Sequence, residues 1–376
     1  MLLSKNAASR RLAGLDFAAA RRVVTAGLLL ALLLTPTDHS TFAITHDEVL
    51  RRARVWEEPA TPIEEAKLDQ NPKGPGSFDV DEVVECTFKP GPVSGTTPKF
   101  DCELPDGDIV KIKYGRSNPE VYTEVAATRL LAALGFPADT MYVVKQVRCA
   151  GCPPDPFSQP ADDAHTQAFD EAVIERPLKG RRVESGKTRG WTWEELKFVD
   201  PVAGGATRAE VDALRLLAIF LAHWDNKAAN QRLLCSDQTK GDEECDRPLA
   251  MIQDLGASFG PLKLDLAGWS RTRIWAAAAS CKVSMHGLPY GGSTFPDAYI
   301  SEEGRQLLGT RLRRLSTAQV RALFDGARFA HFPHRRAPAR NVENWVRAFQ
   351  AKVRAIVDRA PCPGDPSPTV TQQRAQ

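Results

Sequence analysis

No apolar run in this chain is long enough to cross a bilayer. The most apolar stretch, VVTAGLLLALLL at residues 23–34, has 12 residues, against the roughly 20 that a spanning helix needs. Neither sign of charge is in large excess. Lys and Arg number 49 against 47 Asp and Glu, a net +2, which argues against the dense basic footprint of a nucleic-acid binder. The seven histidines are scattered and form no H-E-x-x-H, so the usual zinc-hydrolase signature is missing. There is no internal repeat and no long low-complexity tract.

What remains is an ordinary globular composition, 43% hydrophobic and 26% charged over 376 residues, enough for a sizeable core or for two lobes. The N-terminus adds a targeting signal. Arg10-Arg11 and Arg21-Arg22 precede the short apolar run, and TFA follows with a small residue at Ala43. Residues 1–43 therefore read as a secretory signal, with a twin-arginine route or an uncleaved membrane anchor as the alternatives. Eight cysteines, an even number, favour disulfides in an exported chain, periplasmic or extracellular. Cys149-x-x-Cys152 lacks a second ligand pair at zinc spacing and is followed by Pro153-Pro154.

Along the chain, residues 44–80 form a helical and linker segment. Strand patterns follow at 82–88, 99–104 and 108–114, separated by a Gly/Pro/Ser turn at 89–98 and by Pro-Asp-Gly. Cys86 and Cys102 fall in the first two strands and could pair across the hairpin. Residues 118–136 carry a helical period that ends at Gly135. Strands at 140–149 and 171–177 flank an irregular insert at 150–168. The second half is mainly helical. A short helix is predicted at 192–200 and a long one at 207–224, opened by a Thr207/Glu210 capping box. Two short strands follow at 231–235 and 249–254, their connection bracketed by Cys235 and Cys245. Helices at 301–315, 316–329 and 341–360 complete the chain. Cys281 and Cys362 remain after local pairing, and a disordered tail starts at residue 361. The tryptophans at 191, 193, 269 and 275 are expected to be packing residues.

The most informative stretch is FLAHWDNKAANQRLLC, residues 220–235. After the long apolar helix, His223, Asp225, Lys227 and Asn230 form H-x-D-x-K-x-x-N. Asp254-Leu255-Gly256 follows the short strands. This pair of motifs resembles the catalytic and metal-binding motifs of the protein-kinase-like superfamily, H-R-D-x-K-x-x-N and D-F-G. The chemistry explains the residue types. Phosphoryl transfer needs a carboxylate to orient the accepting hydroxyl. It needs oxygen ligands for a hard cation and cations facing the transferred phosphoryl group.

The resemblance implies an α+β, two-lobed fold, with a β-rich N-lobe at 81–178 and a mainly helical C-lobe at 179–360. It implies Asp225 as catalytic base, Lys227 as a γ-phosphate contact, and Asn230 and Asp254 as ligands of Mg²⁺ or Mn²⁺. His223 would hold the loop in shape. Lys113, with Lys111 as alternative, would contact the ATP phosphates. Glu124, with Glu120 as alternative, would be its ion-pair partner. The loop holding Gly91 and Gly95 would cover the nucleotide, and backbone from Glu175 to Leu178 would face the adenine. Trp224 and Leu255 replace the Arg and Phe of the family motifs, the loop at 89–98 departs from G-x-G-x-x-G, and A-P-E is missing. These departures place the resemblance nearer to HipA-like, phosphoinositide-kinase-like or secretory-pathway kinases. The implied activity is an exported, ATP-dependent phosphotransferase acting on a protein hydroxyl or a small molecule. A binding or scaffold protein of the same fold, without catalysis, is the alternative. No nucleic-acid partner is implied, and a membrane contact only through an uncleaved N-terminal segment.

Overall fold

A computed structural model describes residues 44–92, 95–158, 165–184, 189–236, 245–289 and 291–363. The expected signal or anchor at 1–43 lies outside them, as does the tail beyond residue 363. The described chain is mixed α/β, with a seven-stranded sheet and seven α-helices. None of its helices is long and apolar enough to cross a membrane.

The large sheet is built from β1 (Val83–Lys89), β2 (Lys99–Glu103), β3 (Ile109–Lys113), β4 (Thr140–Val143), β5 (Gln146–Cys152), β6 (His165–Asp170) and β7 (Val173–Arg176), in the order β4-β7-β3-β2-β1-β5-β6. Strands 1 to 3 are antiparallel neighbours, as their alternation predicts. The stretch 140–149 differs from its expectation. It is two strands, broken at Lys145, whose N–H donates to the Glu82 carbonyl. β4 pairs with β7 on one side, while β5 runs parallel to β1 on the other. Only three Cα steps separate Val143 from Gln146, a reach of about 11 Å. Five strand spacings in a flat sheet would be about 24 Å. The sheet must therefore curl, and its concave face encloses a core of Val84, Cys86, Phe100, Cys102, Val110, Ile112, Tyr142, Val147, Phe169 and Ile174. Part of the expected insert at 150–168 is the β5–β6 hairpin.

The opposite sheet face carries Lys99, Asp101, Lys111, Lys113 and Glu175 in register: Lys99 opposite Lys113, and Lys111 between Asp101 and Glu175. Helix α2 (Glu120–Leu134) follows β3 and is buried on nearly every side. It ends at Gly135, whose φ is +89°. A Cβ there would sit 2.2 Å from the Glu57 carbonyl, so glycine serves both the turn and the close approach.

The main core joins α2 to the helical half: α3 (Arg208–Leu221), α4 (Leu266–Arg271), α5 (Glu302–Arg314), α6 (Thr317–Gly326) and α7 (Val342–Val357). The segment 44–80 contributes too. Helix α1 (His46–Arg51) places Val49 and Leu50 in that core, and Arg54 bridges to β10 (Pro248–Ile252). The short helix expected at 192–200 is instead a pair of 3₁₀ turns, Glu195–Phe198 and Pro201–Ala203. Pro201 holds Asp200 extended, and the stretch between buried Trp193 and Pro201 is too short for nucleation to be repaid. All eight cysteines are paired: Cys86–Cys102, Cys149–Cys152, Cys235–Cys245 and Cys281–Cys362.

Candidate active site

Helix α3 delivers the polar loop. Its capping box at Thr207 and Glu210 forms as expected, and the helix stops at Ala222 in the left-handed conformation. Three backbone bonds then tie this loop to the Asp-Leu-Gly segment. Phe259 N–H donates to the Leu221 carbonyl at 2.7 Å, Trp224 N–H to Ala257 at 3.2 Å, and Gln253 N–H to Asn230 at 2.8 Å. The loop ends at β9 (Gln231–Cys235), which lies between β8 (Arg181–Arg182) and β10, so the β9–β10 hairpin fixes the spacing between Asn230 and Asp254. His223 is completely buried. Desolvation lowers its pKa to about 4, against a weaker pull from Asp254 and Asp225, so the ring is neutral and contributes shape.

Within the loop, Lys227 Nζ lies 2.9 Å from both Asp225 carboxylate oxygens. Asn230 donates through Nδ2 to the Asp225 carbonyl at 2.6 Å, which leaves its Oδ1 as the acceptor end. Asp254 sits at φ +55°. Gly256 lies against α2, and a Cβ there would come within 2.4 Å of Glu120 Cγ. Thr123 Oγ1 donates to the Gly256 carbonyl at 2.9 Å, so α2 and this segment are locked together.

The centre of the arrangement is Lys113. Its Nζ is 2.5 Å from Glu124, 3.3 Å from Glu175, 3.6 Å from Asp254 and 3.8 Å from Glu120. Burial disfavours its charge, but Glu124, Glu175, Asp254 and Glu120 outweigh that and hold its pKa well above the ordinary lysine value. Burial pushes Glu124 the other way, well above the carboxylate range, reinforced by Asp254, Glu175 and Glu120. Of the four carboxyl groups, Glu124 is the one that burial shifts upward. Glu175, Glu120 and Asp254 stay below their usual values despite burial, because Lys113 and neighbouring lysines face them. Lys111 reaches Glu175 at 3.3 Å and Lys263 reaches Glu120 at 2.6 Å. Three ammonium groups, those of Lys113, Lys111 and Lys263, thus stand among the carboxyl groups of Glu120, Glu124, Glu175 and Asp254.

Beside this cluster opens a cleft of about 470 Å³, lined by Gly95, Lys99, Lys111, Arg182, Lys227, Asn230, Asp225, Asp254 and Lys263, among others. Its walls carry seven Lys or Arg against four Asp or Glu. A larger apolar groove of about 1060 Å³ lies elsewhere, against α4 and α7, away from Asp225 and Asp254.

The two sequence motifs, separated in the chain, therefore meet in one cleft. Gly95 lines it and Gly91 does not. The stretch Glu175–Leu178 departs from its expectation. Glu175 enters the site through its carboxylate, and the Leu178 N–H is already donated to Asp139 at 2.8 Å; the nearby cleft wall is Arg182, Val183 and Leu233. Sequence reasoning missed Lys263 and Lys99. Lys263 is 143 residues from its partner Glu120, and no local pattern could have placed it. Lys99 was within reach, since strand alternation and the register with Lys113 put both on one face.

A hard cation fits two overlapping donor sets. Asp254 and Asn230 offer a carboxylate and an amide oxygen. Carboxylate oxygens of Glu120, Glu124 and Asp254 lie within 4.8 Å of one another, and Glu124 Oε2 has no hydrogen-bond partner. Both sets are the oxygen donors that Mg²⁺ or Mn²⁺ prefers.

Neither a family model nor a curated protein matches the sequence. Among solved structures, the chain is similar to the Helicobacter pylori proinflammatory kinase CtkA, with 10% identity, coverage of 74% of this chain and 96% of that one, and a TM-score of 0.41. A likeness at that level carries no argument, and the functional reading rests on this chain's own residues.

Proposed function

We propose that the protein is an atypical kinase-type phosphotransferase that moves the terminal phosphoryl group of a nucleoside triphosphate to a hydroxyl. One observation carries the reading: Asp225, Lys227 and Asn230 share a single cation-rich cleft with Asp254, although the two motifs stand on different elements. Asp225 accepts the proton of the attacking hydroxyl and orients its oxygen. Lys227 puts a positive charge beside that base, where charge collects on the transferred group. Asp254 and Asn230 would hold Mg²⁺ or Mn²⁺, which supplies charge neutralisation at the phosphate oxygens. The excess of cations over anions along the walls draws a polyanion in. The acceptor is a protein hydroxyl or a small molecule, and the four disulfides fit a protein exported to an oxidising compartment.

A non-catalytic binding protein is the second reading. It is favoured by the Leu178 N–H, which Asp139 already occupies, and by Lys113, which four carboxylates enclose. Calorimetry of the full-length protein with ATP, with and without Mg²⁺, separates the two. Metal-dependent binding that is lost in Asp254→Asn supports the nucleotide site. In a transfer assay, Asp225→Ala should lower the rate by about 10²- to 10⁴-fold while nucleotide binding persists. Unimpaired turnover in that variant removes Asp225 from the mechanism, and a folded protein that binds no nucleotide leaves the non-catalytic reading.

A further inference from the structure

The cleft holds one buried cation that no hydrogen bond or ion pair secures among the described residues. Lys99 is 7% exposed and lines the cleft. Among the described residues it has no hydrogen bond and no ion pair, whereas Lys111, Lys227 and Lys263 each face a carboxylate. Its direct cross-strand neighbour is Lys113, and like charges opposite each other on one sheet face repel. Asp254 feels this ammonium only from beyond ion-pair distance, and burying an ammonium that no carboxylate contacts is unfavourable. Lys113 cannot relieve that arrangement. It is 2% exposed, does not line the cleft, and is enclosed by four carboxylates. The backbone above Lys99 is kept bare: a Cβ on Gly95, where φ is +92°, would lie 2.8 Å from Lys99 Nζ.

We propose that Lys99, and not Lys113, is the side chain that meets the phosphates of a nucleoside polyphosphate in this cleft. This rests on the cleft being a nucleotide site. Lys113 becomes a positioning residue that holds Glu124, Glu175 and Asp254 together. Lys99 supplies a charge that no ion pair holds, with Lys111 next to it on β3. Glycine at 95 leaves room for a phosphate oxygen where a side chain would cover the ammonium.

The test is calorimetry on the full-length protein and on Lys99→Met, Lys99→Arg and Lys113→Met, each titrated with ATP, inorganic tripolyphosphate and adenosine. Lys99→Met should weaken both phosphate ligands by roughly tenfold or more and leave adenosine unchanged, and Lys99→Arg should recover most of the affinity. Lys113→Met should lower the melting temperature and weaken the phosphate ligands less than Lys99→Met does. A Lys99→Met protein that melts like the parent and binds ATP equally well overturns the assignment and leaves the nucleotide reading standing. A parent protein that binds tripolyphosphate but not ATP overturns the nucleotide reading and keeps the anion role. Binding of neither ligand overturns both. If Lys99→Met fails to fold, amine acylation of the unaltered protein, read by peptide mass spectrometry, replaces it. Saturating tripolyphosphate should protect Lys99, and an unchanged Lys99 acylation rate overturns the assignment.

Discussion

At the scale of single residues, the cluster around Lys113 shows how burial sets charge. The lysine is enclosed with four carboxyl groups: burial pushes Glu124 up, while the lysine holds Glu120, Glu175 and Asp254 below their usual values. Replacing Lys113 by Met would leave those carboxylates without their central cation. Removing one partner of a buried pair costs about 3–5 kcal/mol, and denaturant unfolding of Lys113→Met should read a loss of that order. His223 sets a second expectation. Its pKa falls from the ordinary 6.5 to about 4 on folding. Below pH 6.5 the unfolded chain takes up a proton that the folded chain refuses until about pH 4, so stability drops as pH falls through that window. The full shift corresponds to on the order of 3 kcal/mol. Unfolding titrations between pH 7 and 4 should show this slope in the parent protein and a shallower one in His223→Gln. Equal slopes would remove His223 as the source. Residue types at Lys113, Glu124, Asp225, Asn230 and Asp254 stood out in the sequence because strand alternation and motif spacing are local. Glu175 was expected to face the nucleotide through its backbone; its carboxylate contact with Lys113, like that of Lys263 with Glu120, spans more than 50 residues and leaves no local pattern.

At the scale of elements, helices with a cap and an apolar stripe were the easiest to read. Helix α3 forms over Arg208–Leu221 with both bonds of its capping box in place. Thr207→Ala removes the hydroxyl that accepts from Glu210 N–H and should lower stability by about 1 kcal/mol, measured by chemical denaturation. A change below a few tenths would mean that core packing alone holds the helix start. Strands were less legible. The stretch 140–149 has continuous β character, but its two halves pair with different partners, and pairing partners are chosen by sheet closure rather than by propensity. The stretch 192–200 has helical composition, yet Pro201 and two buried tryptophans leave it no length in which to propagate.

At the scale of the whole molecule, cross-links and core join segments that are distant in the chain. The Cys281–Cys362 bond spans 81 residues, and loop closure of that length restricts the unfolded chain by about 4–5 kcal/mol in the entropy account. The double variant Cys281→Ser/Cys362→Ser should lose stability of that order in denaturant unfolding, more than removal of the 10-residue bridge Cys235–Cys245. Titration of the native protein should find no reactive thiol, and eight after denaturation and reduction. Eight reactive thiols in the native protein would place it in a reducing compartment and sink the exported reading. The sequence by itself determined the mixed α/β class, most helices, the polar loop at 223–230 and the Asp-Leu-Gly segment, because periodicity, caps and turn residues act over a few positions. Only the tertiary structure decided the curled sheet, the place of residues 44–80 in the core, the enclosure of Lys113, and the burial of the Lys99 ammonium without an ion pair. Each of these depends on which distant surfaces meet, and in a low-dielectric interior the charge state and freedom of a side chain are set by those neighbours.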